Sequence, residues 1–128
     1  MQFRSEFRNA LTGAIVALVS SYFTAVLFAY TFRVPIPFVG YSGPFGEFST
    51  YDMPVVELLH SVVVAWVFYG LFGGFIILLV GGSIVGILVG RKYSDAKSRT
   101  VMIALWSVAI GAVPVLVLSV LDYIVGPW

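Results

Sequence analysis

The chain has 128 residues, of which 60% are hydrophobic and only 10% are charged. Soluble domains carry about 25% charged residues, so this composition excludes a water-soluble globule and indicates an integral membrane protein. Seven basic and six acidic residues give a net charge of +1, without the clustered basic face of a nucleic-acid-binding protein. We therefore expect a lipid bilayer around the chain and no nucleic acid partner.

The residue types that usually carry site chemistry are scarce. The sequence has no cysteine and a single histidine, which excludes disulfides, thiolate metal sites and a multi-histidine metal site within one chain. It contains no GxxxxGK[ST] or GxGxxG motif for phosphate binding and no nucleophile elbow. We therefore predict no catalytic residue, no metal and no cofactor, and expect that the chain is not an enzyme.

The first charge-free apolar segment covers residues 10–32, between Arg8 and Arg33. A helix needs about 20 apolar residues to cross the hydrocarbon core. The segment exceeds the apolar core of a cleaved signal peptide, which is about 7–15 residues long, and it has no small-x-small cleavage site. It therefore predicts a retained membrane-spanning helix.

A linker rich in proline, glycine and aromatic residues follows at residues 33–53. Its sequence, RVPIPFVGYSGPFGEFSTYDM, excludes a long regular helix. Aromatic rings favour the headgroup level of a membrane, where an apolar body and a polar edge are both accommodated. We predict that this loop lies on the outer membrane surface; a ligand lid or a partner surface is the alternative.

The second apolar segment is the longest and predicts a helix over about residues 55–90. As one straight helix, residues 54–90 would extend about 55 Å, well beyond the roughly 30 Å hydrocarbon core. We therefore expect a single helix that is long or broken. The alternative is two crossings joined by a turn at Gly73 and Gly74, which would give four spans.

The third span is predicted over about residues 100–123. Pro114 lies in its middle and removes one backbone hydrogen bond, so a static kink is expected and a hinge is the alternative. Tyr123 and Trp128 at its end are predicted to anchor the outer interface.

The basic residues predict the orientation, because short cytoplasmic segments are enriched in lysine and arginine. With three crossings, one side of the membrane receives six of the seven basic residues, namely Arg4, Arg8, Arg91, Lys92, Lys97 and Arg99. Four crossings would place four of them outside. The predicted fold is therefore an all-α, multi-pass protein of the cell membrane. It has three transmembrane helices in a single domain over residues 1–128, an amino terminus in the cytoplasm and a carboxyl terminus outside.

Two stripes of small residues predict close helix packing. One is a GxxxGxxxG series, typical of a glycine zipper, at Gly82, Gly86 and Gly90. The other lies in the first span at Gly13, Ala17, Ser21, Ala25 and Ala29. Apolar side chains gain little by leaving lipid, so helices associate where small-xxx-small patterns let their backbones approach. The contact is expected either within one chain or between chains.

Three ionisable residues are predicted near the outer ends of the second and third spans. Glu57 and His60 are one helical turn apart and share a face, and Asp122 is expected at a similar level. We interpret all three as solvated groups in the interface. The alternative is a proton- or cation-responsive cluster, since ionisable residues inside a membrane are costly and functional.

Residues 81–118, GGSIVGILVGRKYSDAKSRTVMIALWSVAIGAVPVLVL, combine a double glycine, a small-residue series, a short polar loop and a span with a central proline. This stretch resembles small glycine-rich membrane proteins of archaea that have no assigned function. The resemblance implies a multi-span membrane protein and adds no activity.

The function expected from these observations is that of a noncatalytic helix-packing subunit or homo-oligomer. Its partners would be other transmembrane helices, of the same chain or of another protein. A pore or transporter component is one alternative, and an accessory subunit of a membrane enzyme is a second.

Overall fold

The computed structural model describes residues 2–45 and 48–126. Trp128, predicted as an interface anchor, lies outside these residues. The helices are α1 (Gln2–Thr31), α2 (Val55–Tyr69), α3 (Phe75–Lys92) and α4 (Ala96–Val125), and a five-residue π-helical segment, Gly70–Gly74, joins α2 to α3.

Three helices in the described part of the chain are long and apolar enough to cross a membrane: Gln2–Thr31, the combined helix Val55–Lys92, and Ala96–Val125. The prediction of an all-α membrane protein with three spanning helices is thereby confirmed, and the chain is a multi-pass membrane protein. The second helix is both long and broken, as predicted, because Phe72 and Gly73 depart from helical backbone angles.

The break at Gly73 does not reverse the direction of the helix. Leu58 and Val62, before the break, join the buried cluster that contains Ala29 of α1. Gly86, after the break, lies against the backbone of Asn9 at the other end of α1. The combined helix therefore runs antiparallel to α1, from the end of α1 to its start, without turning back. The hairpin required by four spans is not formed.

Two ion pairs mark opposite ends of the bundle. Arg91 Nε lies 2.9 Å from Glu6 Oε1, which joins the end of α3 to the start of α1. Arg33 Nε lies 2.6 Å from Asp122 Oδ2, which joins the linker between α1 and β1 to the last turns of α4. We call these the Arg91 end and the Arg33 end.

The small residues of α1 form its buried face. Gly13, Ala17, Ser21, Ala25 and Ala29 are all buried. Large apolar residues occupy the opposite face and are exposed, among them Ile15, Val19, Phe23 and Leu27. Since lipid solvates large apolar side chains as well as the protein interior does, the interior is built from the residues that allow the closest approach.

The described part of the 33–53 loop forms a small sheet between α1 and α2. Its strands are β1 (Val34–Ile36), β2 (Gly40–Gly43) and β3 (Phe48–Ser49), with β2 in the middle, antiparallel to β1 and parallel to β3. Pro35 and Pro37 favour extended backbone in the residues before them, and Phe38 (φ 65°) and Gly40 (φ 127°) turn the chain back. Val34 and Pro35 are buried against the helices.

Candidate functional site

A crevice of about 430 Å³ separates the combined second helix from α4. It extends from Gly73 and Pro114, in the middle of the helices, to Val34 and Pro35 in β1. Its walls are formed almost entirely by apolar side chains, including Ala25, Ala65, Trp66, Ile77, Val113 and Val117. We refer to this space as the crevice.

Two helix irregularities face the crevice from opposite sides. Gly73 has a φ of 112°, a left-handed conformation that L side chains rarely adopt, and it lies within the π-helical segment. Pro114 has no N–H group and cannot donate to the carbonyl four residues before it. The crevice therefore lies where the backbones of two helices are both irregular.

One polar side chain lines the crevice without a hydrogen-bond partner. Ser119 is 0% exposed, and its Oγ is bonded to nothing among the described residues. Asp122 lies three residues later on the same face of α4. It is also 0% exposed, and its Oδ1 has no partner in the described chain.

The second oxygen of Asp122 is occupied by Arg33. The guanidinium Nε donates to Oδ2, and the side chain of Arg33 is 14% exposed. The guanidinium carbon also lies 3.6 Å from the centre of the Tyr41 ring, a cation–π geometry. The pair thus connects α1, β2 and α4 at the Arg33 end.

The structure does not assemble Glu57, His60 and Asp122 into a polar cluster, which was the alternative to three solvated groups. Glu57 and His60 are exposed on α2, on the side opposite the buried Leu58 and Val62. Asp122 lies on the inner face of α4 and is paired with Arg33. The expectation that all three are solvated is therefore wrong for Asp122, because a carboxylate on the inner face of a helix requires a buried counter-charge.

The two predicted small-residue stripes lie against each other within the chain. A Cβ added to Gly82 would lie 2.9 Å from Ala14 Cα, and one added to Gly86 would lie 3.1 Å from Ala10 Cα. The first distance is shorter than real Cβ contacts, and the Cβ on Gly86 would also lie only 2.8 Å from the carbonyl carbon of Asn9. The backbones of α1 and α3 therefore touch here because these residues are glycines. Gly90, by contrast, is half-buried and contacts the side chain of Asn9.

A third series of contacts comes from α4. Its buried residues include Ser107, Gly111, Val115 and Ser119, each four residues after the last. A Cβ on Gly111 would lie 2.6 Å from the carbonyl oxygen of Ala17. Only Ser107 and Gly111 stand out in the sequence as a small pair, because Val115 interrupts the pattern.

The sequence analysis missed Arg33, Trp66 and Ser119. Arg33 is the one basic residue outside the two basic segments, and this was the available signal for a partner at the opposite end. Trp66 Nε1 donates to Ser21 Oγ at 2.8 Å, a contact between helices that no sequence pattern indicates. Ser119 had no signal beyond its spacing from Gly111.

Within residues 2–45 and 48–126, no group of three or more histidine, cysteine, aspartate or glutamate residues is placed to hold a metal ion. Comparison with known proteins adds no relatives: no family model matches the chain, and no curated protein or solved structure is significantly similar to it.

Proposed function

We propose that the chain is a noncatalytic subunit of a protein complex in the cell membrane. Its helix bundle packs against a transmembrane helix of a partner. The observation that supports this proposal is an uncovered face of α2 that carries two ionisable side chains. We call it the α2 outer face; it consists of Val56, Glu57, His60, Val64 and Val67.

The α2 outer face lies opposite the side by which α2 joins the bundle. Leu58, Val62 and Ala65 are buried, whereas Glu57 and His60 are exposed one turn apart. Both lie in the first turns of α2, near the membrane interface, where polar groups of a partner helix can take the place of water as hydrogen-bond partners. A partner helix that offers hydrogen-bonding groups at this level would cover them, and the surrounding valines would provide its apolar contact.

A homo-oligomer is the second form of the same proposal. The small residues of α1, Gly82 and Gly86 are occupied by contacts within the chain. A second copy would therefore contact the α2 outer face, and the glycine stripe would play no part between chains.

We propose further that the Arg91 end is cytoplasmic, which places the amino terminus inside and the carboxyl end of α4 outside. The ion pair between Glu6 and Arg91 places the amino terminus and the 91–99 segment at one end of the bundle. That end then carries six of the seven basic residues, as the positive-inside rule requires of a cytoplasmic surface.

The test is extraction in mild detergent followed by measurement of the mass of the protein complex. We expect the wild-type chain in an assembly, either with a second protein or with copies of itself. Val64→Trp should release the chain as a folded monomer, because the larger ring holds the partner away from the α2 outer face.

Val19→Trp is the matched control. Val19 on α1 and Val64 are both valines with similar exposure, 49% and 45% respectively, but Val19 lies outside the α2 outer face. The Val19 variant should keep the assembly intact. A wild-type chain that extracts as a partner-free monomer, or two variants with the same mass, would contradict the proposal.

A pore or transporter component is the second candidate, supported by the positions of Gly73 and Pro114 on the two sides of the crevice. Two helix irregularities that face each other allow the outer halves of the helices to move apart. If the chain is a pore or transporter component, proteoliposomes that contain it should show solute flux above the leakage of empty vesicles. Pro114→Ala should reduce that flux. The accessory-subunit alternative depended on the cluster of Glu57, His60 and Asp122, which the structure separates.

A further inference from the structure

The crevice opens toward the surrounding lipid. Ile77 and Val113, which line it, are 60% and 54% exposed on the outer surface of the helices. Its volume of about 430 Å³ lies within the range of small-molecule sites, roughly 300–1,000 Å³. An apolar molecule dissolved in the membrane can therefore enter from the side without crossing water.

The polar groups beside the crevice restrict which apolar molecule is retained. Serine hydroxyls in membrane helices commonly bond to the carbonyl three or four residues earlier, as Ser21 does to Leu18 in α1. Ser119 forms no such bond and lines the crevice, and its Oγ has no partner within residues 2–45 and 48–126; Asp122 Oδ1 is a buried acceptor one turn beyond. Unpaired buried polar groups cost free energy that a bound polar group would recover.

A hydroxyl group on the ligand matches Ser119 best, because it is both a donor and an acceptor, as the serine hydroxyl is. A pure hydrocarbon would leave the Ser119 hydroxyl unpaired. A carboxylate would bring into the bundle a negative charge without a counter-charge, since Arg33 is already paired with Asp122. We infer that the crevice binds a membrane-dissolved long-chain alcohol, with its chain along the apolar walls and its hydroxyl beside Ser119. This site is separate from the α2 outer face and does not depend on the proposed subunit function.

The experiment uses the full chain in lipid nanodiscs and a long-chain alcohol that carries a photoactivatable diazirine in its chain. After illumination, labelled residues are identified by mass spectrometry. We expect labelling of crevice residues such as Val113 and Val117. An unlabelled alcohol should displace the probe at a concentration at least about threefold lower than the alkane or fatty acid of equal length.

Ser119→Ala should raise the concentration of alcohol needed for displacement by about threefold to tenfold, which corresponds to one hydrogen bond. Ser107→Ala is the matched control, because Ser107 is equally buried and unpartnered on the same face of α4 but lies outside the crevice. It should leave displacement unchanged. Equal effects of the two variants would overturn the assignment to Ser119.

Three further results would overturn the inference. Displacement of the probe by the alkane as readily as by the alcohol would show that the hydroxyl is not recognised. Absence of label in the crevice would show that no such molecule binds. If Ser119→Ala does not fold, Ile77→Phe, which narrows the crevice, should abolish the label. Ile76→Phe on the neighbouring exposed position, which does not line the crevice, should not; equal label in the two variants also overturns the inference.

Discussion

Arg33 Nε donates to Asp122 Oδ2 at 2.6 Å, although the two residues are 89 positions apart in the chain. The contact joins the linker between α1 and β1 to the last turns of α4. The side chain of Asp122 is fully buried and that of Arg33 is 14% exposed, so Arg33 is the main compensation for the buried carboxylate. Removal of one partner leaves an unpaired buried charge, which is more costly than removal of both.

The first prediction is therefore a strong non-additivity at this pair. Asp122→Leu or Arg33→Met alone should each lower the free energy of unfolding by about 3–5 kcal/mol. The double variant should recover most of that loss, because no buried charge remains. Denaturant unfolding in detergent measures all three, and single effects that simply add in the double variant would show that the pair is not coupled.

The second prediction concerns the contact between α1 and α3. Gly86→Leu should lower the free energy of unfolding of the monomer by about 1–3 kcal/mol, since a side chain there would meet the backbone of Asn9 and Ala10. Leu88→Ile is the control, because Leu88 is 60% exposed, and it should be tolerated. A lower oligomeric state with unchanged monomer stability would instead place the contact between chains.

The third prediction concerns the start of α4. The backbone N–H of Ser98 donates to Asp95 Oδ2 at 2.9 Å, and this hydrogen bond is the main reason that the pKa of Asp95 is lowered. A lowered pKa stabilises the folded state above the ordinary aspartate pKa of about 3.9, and this contribution is lost as the pH falls through the folded-state value.

Amide hydrogen exchange in the first turn of α4 checks this prediction. The protection of the wild type, relative to that of Asp95→Asn at the same pH, should decrease as the pH is lowered from neutral to about 3. Asp95→Asn is the reference because asparagine retains a cap acceptor that does not titrate. A wild-type to variant ratio that stays constant across this interval would show that the cap does not depend on the charge.

The fourth prediction concerns orientation. Reporter fusions after Lys97 and after residue 128 should report opposite sides of the membrane, with Lys97 in the cytoplasm, because α4 crosses once between them. A cytoplasmic signal from both fusions would contradict the crossing of α4. An exterior signal after Lys97 would reverse the proposed orientation.

Much of the fold was predictable from local patterns. The lengths of the first and third apolar segments predict one crossing each, and the positions of the basic residues favoured a single crossing for the second segment. The double glycine at Gly73 and Gly74, named from the sequence only as the turn of the four-span alternative, is where the second helix is irregular. The stripe from Gly13 to Ala29 indicated the buried face of α1, because periodicity in a helix is a property of one segment alone. None of these inferences requires knowledge of a neighbouring helix.

The strands of the 33–53 loop were less accessible. Its prolines and glycines excluded a helix, but the pairing of Val34 with Ser42 depends on the turn at Phe38, whose positive φ is uncommon for a non-glycine residue. The sequence therefore indicated where regular helix ends and gave no register for the strands.

The candidate site was decided by tertiary structure. The sequence determined that Asp122, Glu57 and His60 lie near span ends, that two stripes can pack closely, and that Pro114 disturbs its helix. It did not determine that Asp122 pairs with Arg33, that the stripes meet within one chain, or that Gly73 and Pro114 border a common crevice. Those pairings depend on the rotation and the axial register of whole helices. Rotation and register result from the sum of many small van der Waals contacts between backbones, which no single segment of the chain encodes.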